Sequence, residues 1–237
     1  MNKTLFKTLA FTVLAAGIST SASALTLNTS YNVSENFARV TVGSPAYNGY
    51  AGAFNVTTSE AAPLDSFVAW CLDIGTTIKS SYEYIVKSID DDIFTNGGSA
   101  VSLDDTQKSA IQNLFNTAYN GLDTLDKVQA GGFQLALWEI AYETSGTFSL
   151  SDGSFTETNT AGAAARAQAN TFLAGLAGGW TGTYDLAFFE AAETAGGHGS
   201  QNLVGGFEAA PVPLPAAAWL LLAGMGALGV AGRRKAS

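Results

Sequence analysis

A chain with a single thiol has few uses for it. Cys71 is the only cysteine in 237 residues. It can form no intrachain disulfide, and as a thiolate it is a good nucleophile and a good leaving group. It sits in the segment Phe67-Val68-Ala69-Trp70-Cys71-Leu72-Asp73. A second segment, Gly132-Phe133-Gln134-Leu135-Ala136-Leu137-Trp138-Glu139-Ile140, carries Gln134. On a helix, Gln134 shares a face with Leu137, Trp138 and Ala141, which puts a carboxamide on the stripe that docks on the core. An unpaired amide is expensive there. A buried thiol beside it would give both groups a reason. Taken singly, the ordinary assignments are a small hydrophobe for the cysteine and a surface position for the glutamine.

Other chemistry is thinly supported. His198 lies in Gly196-Gly197-His198-Gly199-Ser200 and reads as a loop residue, and no Gly-x-Ser-x-Gly elbow marks a serine hydrolase. Asp90-Asp91-Asp92 offers hard oxygen ligands but lacks the spaced acids of a calcium loop, so it reads as a solvated turn. Glu139 and Glu143 read as a surface pair one helical turn apart. Trp70, Trp138, Trp180 and Tyr184 have faces for stacking on sugars, although core packing is the ordinary fate of aromatics. No metal site and no cofactor are expected.

The elements that must position Cys71 and Gln134 follow from periodicity. Leu25, Leu27, Thr29, Tyr31 and Val33 alternate with mostly polar neighbours, and 37–42 and 53–57 follow as further strands between Gly and Pro punctuation. Ser66 to Ile74 is apolar on both alternating faces, which predicts a central, buried strand. Tyr82 to Val86 is another strand. Near Ser102 the period changes. Ser102-Leu103-Asp104-Asp105 reads as a helix N-cap with acids in the first turn. Ile111, Leu114, Phe115 and Ala118 recur at helical spacing, and Asn120-Gly121 stops that helix. A second helix spans about 125–143, with Gly131-Gly132 as a possible break, and a third spans about 161–176. Strands return at 184–189 and 202–204. The fold class is α+β, mainly β: a sandwich- or barrel-like core with a helical subdomain between the Cys71 strand and the Gln134 helix.

The aromatic-Cys-apolar-Asp strand followed by a Phe-Gln-x-Ala-apolar-Trp helix resembles the thioester domains of bacterial surface adhesins. That resemblance implies an intramolecular Cys–Gln thioester, with Cys71 as sulfur donor and Gln134 as acyl donor. Trp70, Asp73, Phe133 and Trp138 match flanking positions in supporting roles. It further implies one covalent event with an amine-bearing partner, a surface protein or matrix component, and no enzymatic turnover. A cross-link between positions 71 and 134 would also restrain the unfolded chain by ~4 kcal/mol, by analogy with disulfides. Stability alone is therefore a second use for the pair, on a non-covalent structural or matrix protein.

Both ends carry addresses. Residues 1–24 combine Lys3 and Lys7, an apolar run and the small residues Ala22 and Ala24, which together form a signal peptide. Residues 25–210 form the ectodomain. Residues 211–237 hold Val212-Pro213-Leu214-Pro215-Ala216, an uncharged apolar stretch, and Arg233-Arg234-Lys235. The stretch is at the lower limit for a membrane span, and the basic end favours the cytoplasmic side. This order resembles the VPLPA variant of the PEP-CTERM sorting signals. The resemblance implies an exosortase-type processing protease as partner, a Gram-negative host, inner-membrane anchoring through the C-terminal helix before processing, and then the cell surface or extracellular matrix.

Charge narrows the partners. All 20 acidic residues fall in the ectodomain, against six basic ones: Arg39, Lys79, Lys87, Lys108, Lys127 and Arg166. Such a surface repels nucleic acid.

Overall fold

The computed structural model describes residues 24–31, 35, 37–44, 46–95, 101–144, 147–178, 184–194 and 197–209. The expected signal peptide (up to residue 23), Val33, Trp180 and the 211–237 tail lie outside the described residues. Among those described, no helix is long and apolar enough to cross a membrane.

In chain order the elements are β1 (Ala24–Ser30), β2 (Ala38–Ser44), β3 (Tyr47–Ala51), β4 (Phe54–Thr57), β5 (Ser66–Cys71), β6 (Ser81–Lys87), β7 (Phe94–Thr95) and β8 (Val101–Ser102). Helix α1 (Asp105–Leu114) continues into a π turn at Phe115–Tyr119, followed by α2 (Lys127–Tyr142), β9 (Thr156–Glu157) and α3 (Ala163–Gly175). The chain closes with β10 (Tyr184–Ala191), β11 (Glu193–Thr194), β12 (Gly197–His198) and β13 (Leu203–Glu208).

Six strands form a closed barrel in the order β1-β4-β5-β13-β10-β6, which leaves none of them an open edge. The alternation read along β1 is realised, with Leu25, Leu27 and Thr29 buried and their neighbours exposed. Strand β5 lies between β4 and β13, with Cys71 opposite Leu203 and Trp70 opposite Val204. It ends at Cys71 and not at Ile74. The backbone N–H of Leu72 still reaches the Asn202 carbonyl at 2.8 Å. Beyond it, the Asp73 carboxylate accepts the Asn202 N–H at 2.5 Å, so a side chain takes over from the ladder.

The three helices are inserted between β8 and β10. Every residue of α2 from Ala130 to Ala141 is buried, so it is a core helix and not a one-faced surface helix. Gly131-Gly132 does not break it. A Cβ on Gly131 would come within 2.5 Å of the Ala38 Cβ, and one on Gly132 within 2.8 Å of the Gln168 Cβ. The two glycines let α2 approach β2 and α3 closely.

Four expectations need correcting. The cap of α1 is Asp104 and not Ser102, which belongs to β8: the Asp104 side chain accepts the Gln107 N–H at 2.8 Å, and Gln107 Oε1 accepts the Asp104 N–H at 3.0 Å. This reciprocal pair satisfies two orphan helix-end donors. His198 is in a short hairpin strand paired with β11, not a loop. Glu139 and Glu143 are buried, not a surface pair, because the whole of α2 is enclosed. Their carboxylates meet the backbone of the following segment: Glu139 Oε1 accepts from Ser149 N, and Glu143 accepts from Thr144 N and Ser154 N. Finally, the helix stopped by Asn120-Gly121 is only α-helical to Leu114, with the π turn completing it. Gly121 then turns the chain with φ of 82°, where a side chain would be strained.

Candidate functional site

Barrel strand β5 and core helix α2 bring Cys71 and Gln134 together. Both are buried. The Cys71 backbone N–H donates to Gln134 Oε1 at 2.9 Å, and Gln134 Nε2 donates to the Cys71 carbonyl at 2.7 Å. These are groups at the end of a strand, where the regular ladder stops. The carboxamide thus supplies the partners that a buried strand end would otherwise lack.

The sulfur faces a third residue. Cys71 Sγ–H donates to Gln201 Oε1 at 2.7 Å, and Gln201 Nε2 donates to the Asp73 carbonyl at 2.8 Å. Ser200, beside it, is fully buried and accepts from Tyr84 Oη at 2.8 Å and from Lys79 N at 3.0 Å. Asn202 donates through Nδ2 to the Phe94 carbonyl and accepts the Ala191 N–H. In the sequence Ser200 ends the glycine-rich segment and Asn202 opens a strand, and Gln201 between them carries no assignment. The available signal was three consecutive hydrogen-bonding side chains at the threshold of an apolar strand.

The flanking motif residues divide between two sides. Trp70 and Phe133 pack ring to ring at 4.5 Å, and Phe133 also meets Phe115 at 5.1 Å, an aromatic cluster behind the site. Trp138 meets Tyr47 edge to face at 5.7 Å. Asp73 holds the 201–202 segment by its carbonyl and carboxylate. Cys71, Gln134, Gln201 and Trp138 line a cavity of about 490 Å³ whose walls include Tyr47 and the exposed Tyr50. Among the described residues, no lining side chain is charged.

Burial pushes the Cys71 thiol well above its ordinary value, and the Asp73 carboxylate raises it further. The native thiol therefore holds its proton at neutral pH. Glu139, on the same helix as Gln134, is raised to about 7 by burial, against the Ser149 hydrogen bond and with a further push from Glu143. Of the other residues considered, Asp91 closes a turn, its carboxylate accepting from Ser88 N at 2.7 Å. Tyr184 meets Tyr119 edge to face at 5.1 Å.

The tail has its own signature. Residues 211–235 match the PEP-CTERM protein-sorting motif. The PEP-CTERM match spans Val212, Pro213, Leu214, Pro215 and Ala216 and extends through Arg233, Arg234 and Lys235. It supports an exported cell-surface protein. Two solved structures are similar in outline. One is the N-terminal domain of the Streptococcus pyogenes pilus tip adhesin Cpa, at 13% identity and TM-score 0.44, over 81% of this chain and 97% of that one. The other is the N-terminal thioester domain of a surface protein from Clostridium perfringens, at 13% identity and TM-score 0.39, over 78% and 99%. Neither likeness bears on the residues of the site. No curated protein matches the chain.

Proposed function

We propose that Cys71 and Gln134 form an intramolecular thioester, and that an amine on a surface protein or matrix component opens it to leave the protein covalently attached. What supports this reading is the burial of Gln134 with its carboxamide on the Cys71 backbone at the edge of a cavity, although the side chain that meets Sγ itself is that of Gln201. In the forming step, Sγ attacks Gln134 Cδ. The Sγ–Cδ bond forms, the Cδ–Nε2 bond breaks, and nitrogen leaves as ammonia carrying the thiol proton. The Cys71 N–H lies on Oε1, where negative charge would develop, as an oxyanion donor must. In the capturing step the amine nitrogen bonds to Cδ, the Sγ–Cδ bond breaks, and a proton passes from nitrogen to sulfur. The reaction happens once per molecule, so the protein is not an enzyme.

A second reading has its own support. Both polar atoms of Gln134 already have partners on Cys71, so the pair can serve as a structural tie on a non-covalent matrix protein. In either case the tail directs an exosortase-type protease to the 211–216 segment, with the C-terminal stretch held in the inner membrane before processing.

Intact mass of the purified protein separates the two. A chain lighter by one ammonia, taking up methylamine at Gln134, is expected for the thioester. An unshifted mass with Cys71 open to alkylation in freshly unfolded protein would leave only the structural tie.

A further inference from the structure

Strand β3 lies at the edge of a sheet: among the described residues it pairs with β2 and with nothing on its other side. Tyr50 shows which of its groups face that open side. Its N–H donates to the Tyr47 hydroxyl at 3.1 Å, and its carbonyl accepts from the same hydroxyl at 3.2 Å. The N–H and C=O of one strand residue point the same way, so Tyr50 turns both away from β2. Asn48, two residues earlier, turns its own pair to the same edge. Both residues are exposed.

Tyr47 thus occupies the place of a neighbouring strand. Its side chain lies back along β3 over Gly49, where a Cβ would overlap the hydroxyl, so only glycine leaves it room. The edge is held lightly. One hydroxyl serves both a donor and an acceptor, and its own bond is longer than the roughly 2.7–2.8 Å usual for a hydroxyl donor. The same edge runs beside the site, since Tyr47, Asn48 and Tyr50 line the cavity that Cys71 reaches. Successive side chains of a strand point to opposite faces, so a cavity lined by Tyr47 and by Asn48 follows the edge between them.

We propose that the open edge of β3 takes an extended polypeptide segment of the partner as an added strand, which displaces the Tyr47 hydroxyl from the Tyr50 backbone. A polypeptide backbone presents C=O and N–H in alternation at strand spacing, and strand addition is a recurring mode of peptide recognition. Tyr47 blunts the edge while it is empty, as native proteins blunt their edges, and yields to a strand that satisfies both groups better. This narrows the partner to a protein with an extended, accessible segment. That a side chain of the segment carries the captured amine into the cavity rests on the thioester reading; the docking itself does not.

The test uses full-length Cys71→Ala protein, which can form no thioester, and the peptide acetyl-Thr-Val-Thr-Lys-Thr-Val-Thr-amide. Binding is followed in an NMR titration through the amide signals of Asn48 and Tyr50. In this background Tyr47→Phe keeps the ring and removes the competing hydroxyl. It should tighten binding about three- to ten-fold, the scale of one neutral hydrogen bond. Asn48→Pro removes an edge donor without touching the ladder to β2, and should weaken binding by at least about threefold. The same peptide methylated at every backbone nitrogen should not bind.

Unchanged affinity in Tyr47→Phe, equal binding of the methylated peptide, or no binding by either protein overturns the proposal and leaves the thioester reading intact. Self-association of Tyr47→Phe in sedimentation, without peptide binding, also overturns it and assigns the edge to a second copy of the chain. If Asn48→Pro does not fold, the methylated peptide decides in its place. In the wild-type chain, capture of the peptide's lysine, read by intact mass, should be several-fold faster than capture of the methylated peptide's. A wild-type chain that never loses ammonia ends the thioester reading and leaves the docking to be decided by the Cys71→Ala titration.

Discussion

Gln134 and Cys71 meet through two hydrogen bonds of opposite sense, Cys71 N–H to Gln134 Oε1 at 2.9 Å and Gln134 Nε2 to the Cys71 carbonyl at 2.7 Å. One carboxamide therefore terminates a barrel strand, while the thiol on the same residue meets a second carboxamide, that of Gln201. On the thioester reading, structural and chemical roles fall on the same pair, and substitutions there report on both.

Gln134→Ala leaves a buried N–H and a buried carbonyl without partners and opens a cavity. The expected loss is about 3–5 kcal/mol, seen as a lower urea midpoint with an unchanged slope. Gln134→Glu keeps an acceptor for the Cys71 N–H and loses the donor to its carbonyl. At neutral pH its cost should be at least as large, because a buried carboxylate would face the Cys71 carbonyl, and no ammonia should be lost from the mass.

Gly131→Ala tests the close approach of α2. Alanine favours the helix by about 1 kcal/mol, but its methyl would stand on the Ala38 Cβ and near the Ala51 carbonyl, both attached to strands that cannot yield cheaply. Overpacking wins, and we expect net destabilisation of about 1–2 kcal/mol in urea unfolding. The double variant Gly131→Ala, Ala38→Gly should recover part of it.

Glu139 makes stability depend on pH. Its carboxyl is raised from an ordinary 4.5 to about 7, so between those values the folded chain binds the proton more tightly than the unfolded chain. Stability then falls as pH rises. The contribution is fully present below about 4.5, is lost through pH 7, and amounts to at most about 3 kcal/mol. Glu139→Gln should flatten this part of the profile, measured by urea midpoints from pH 4.5 to 8. A profile as steep in the variant as in the wild type would assign it elsewhere.

Asp73 holds the Cys71 thiol high in addition to burial. In protein opened with methylamine, Cys71 is expected to react with iodoacetamide at least about tenfold more slowly in the native state than unfolded at pH 8, since only the thiolate attacks. Asp73→Asn should move the midpoint of the native pH–rate profile downward. It should remain above the ordinary thiol value, because burial is the larger cause.

Some of this arrangement was legible in residue order and some was not. Leu25, Leu27 and Thr29 declared a half-buried strand because side chains alternate with period two. Gln134, Leu137, Trp138 and Ala141 shared a face because helical spacing places them there. The proline-rich 211–216 motif and the basic end needed no fold to be read. Glu139 misled, because two acids on a helix resemble a solvated face whenever enclosure by other elements is invisible.

Strand and helix periods and the sorting tail are written in local order, whereas Cys71 and Gln134, 63 positions apart, were joined only by the resemblance of their two segments to a known family. Only the tertiary structure decided that Gln201 faces the sulfur, that Asp73 orients it, and that α2 is buried on every side. Residues 71 and 201 are separated by 130 positions and meet because β13 closes the barrel against β5. Contact across that distance is set by the register of paired backbones and by the packing of neighbouring elements, and no local pattern encodes either.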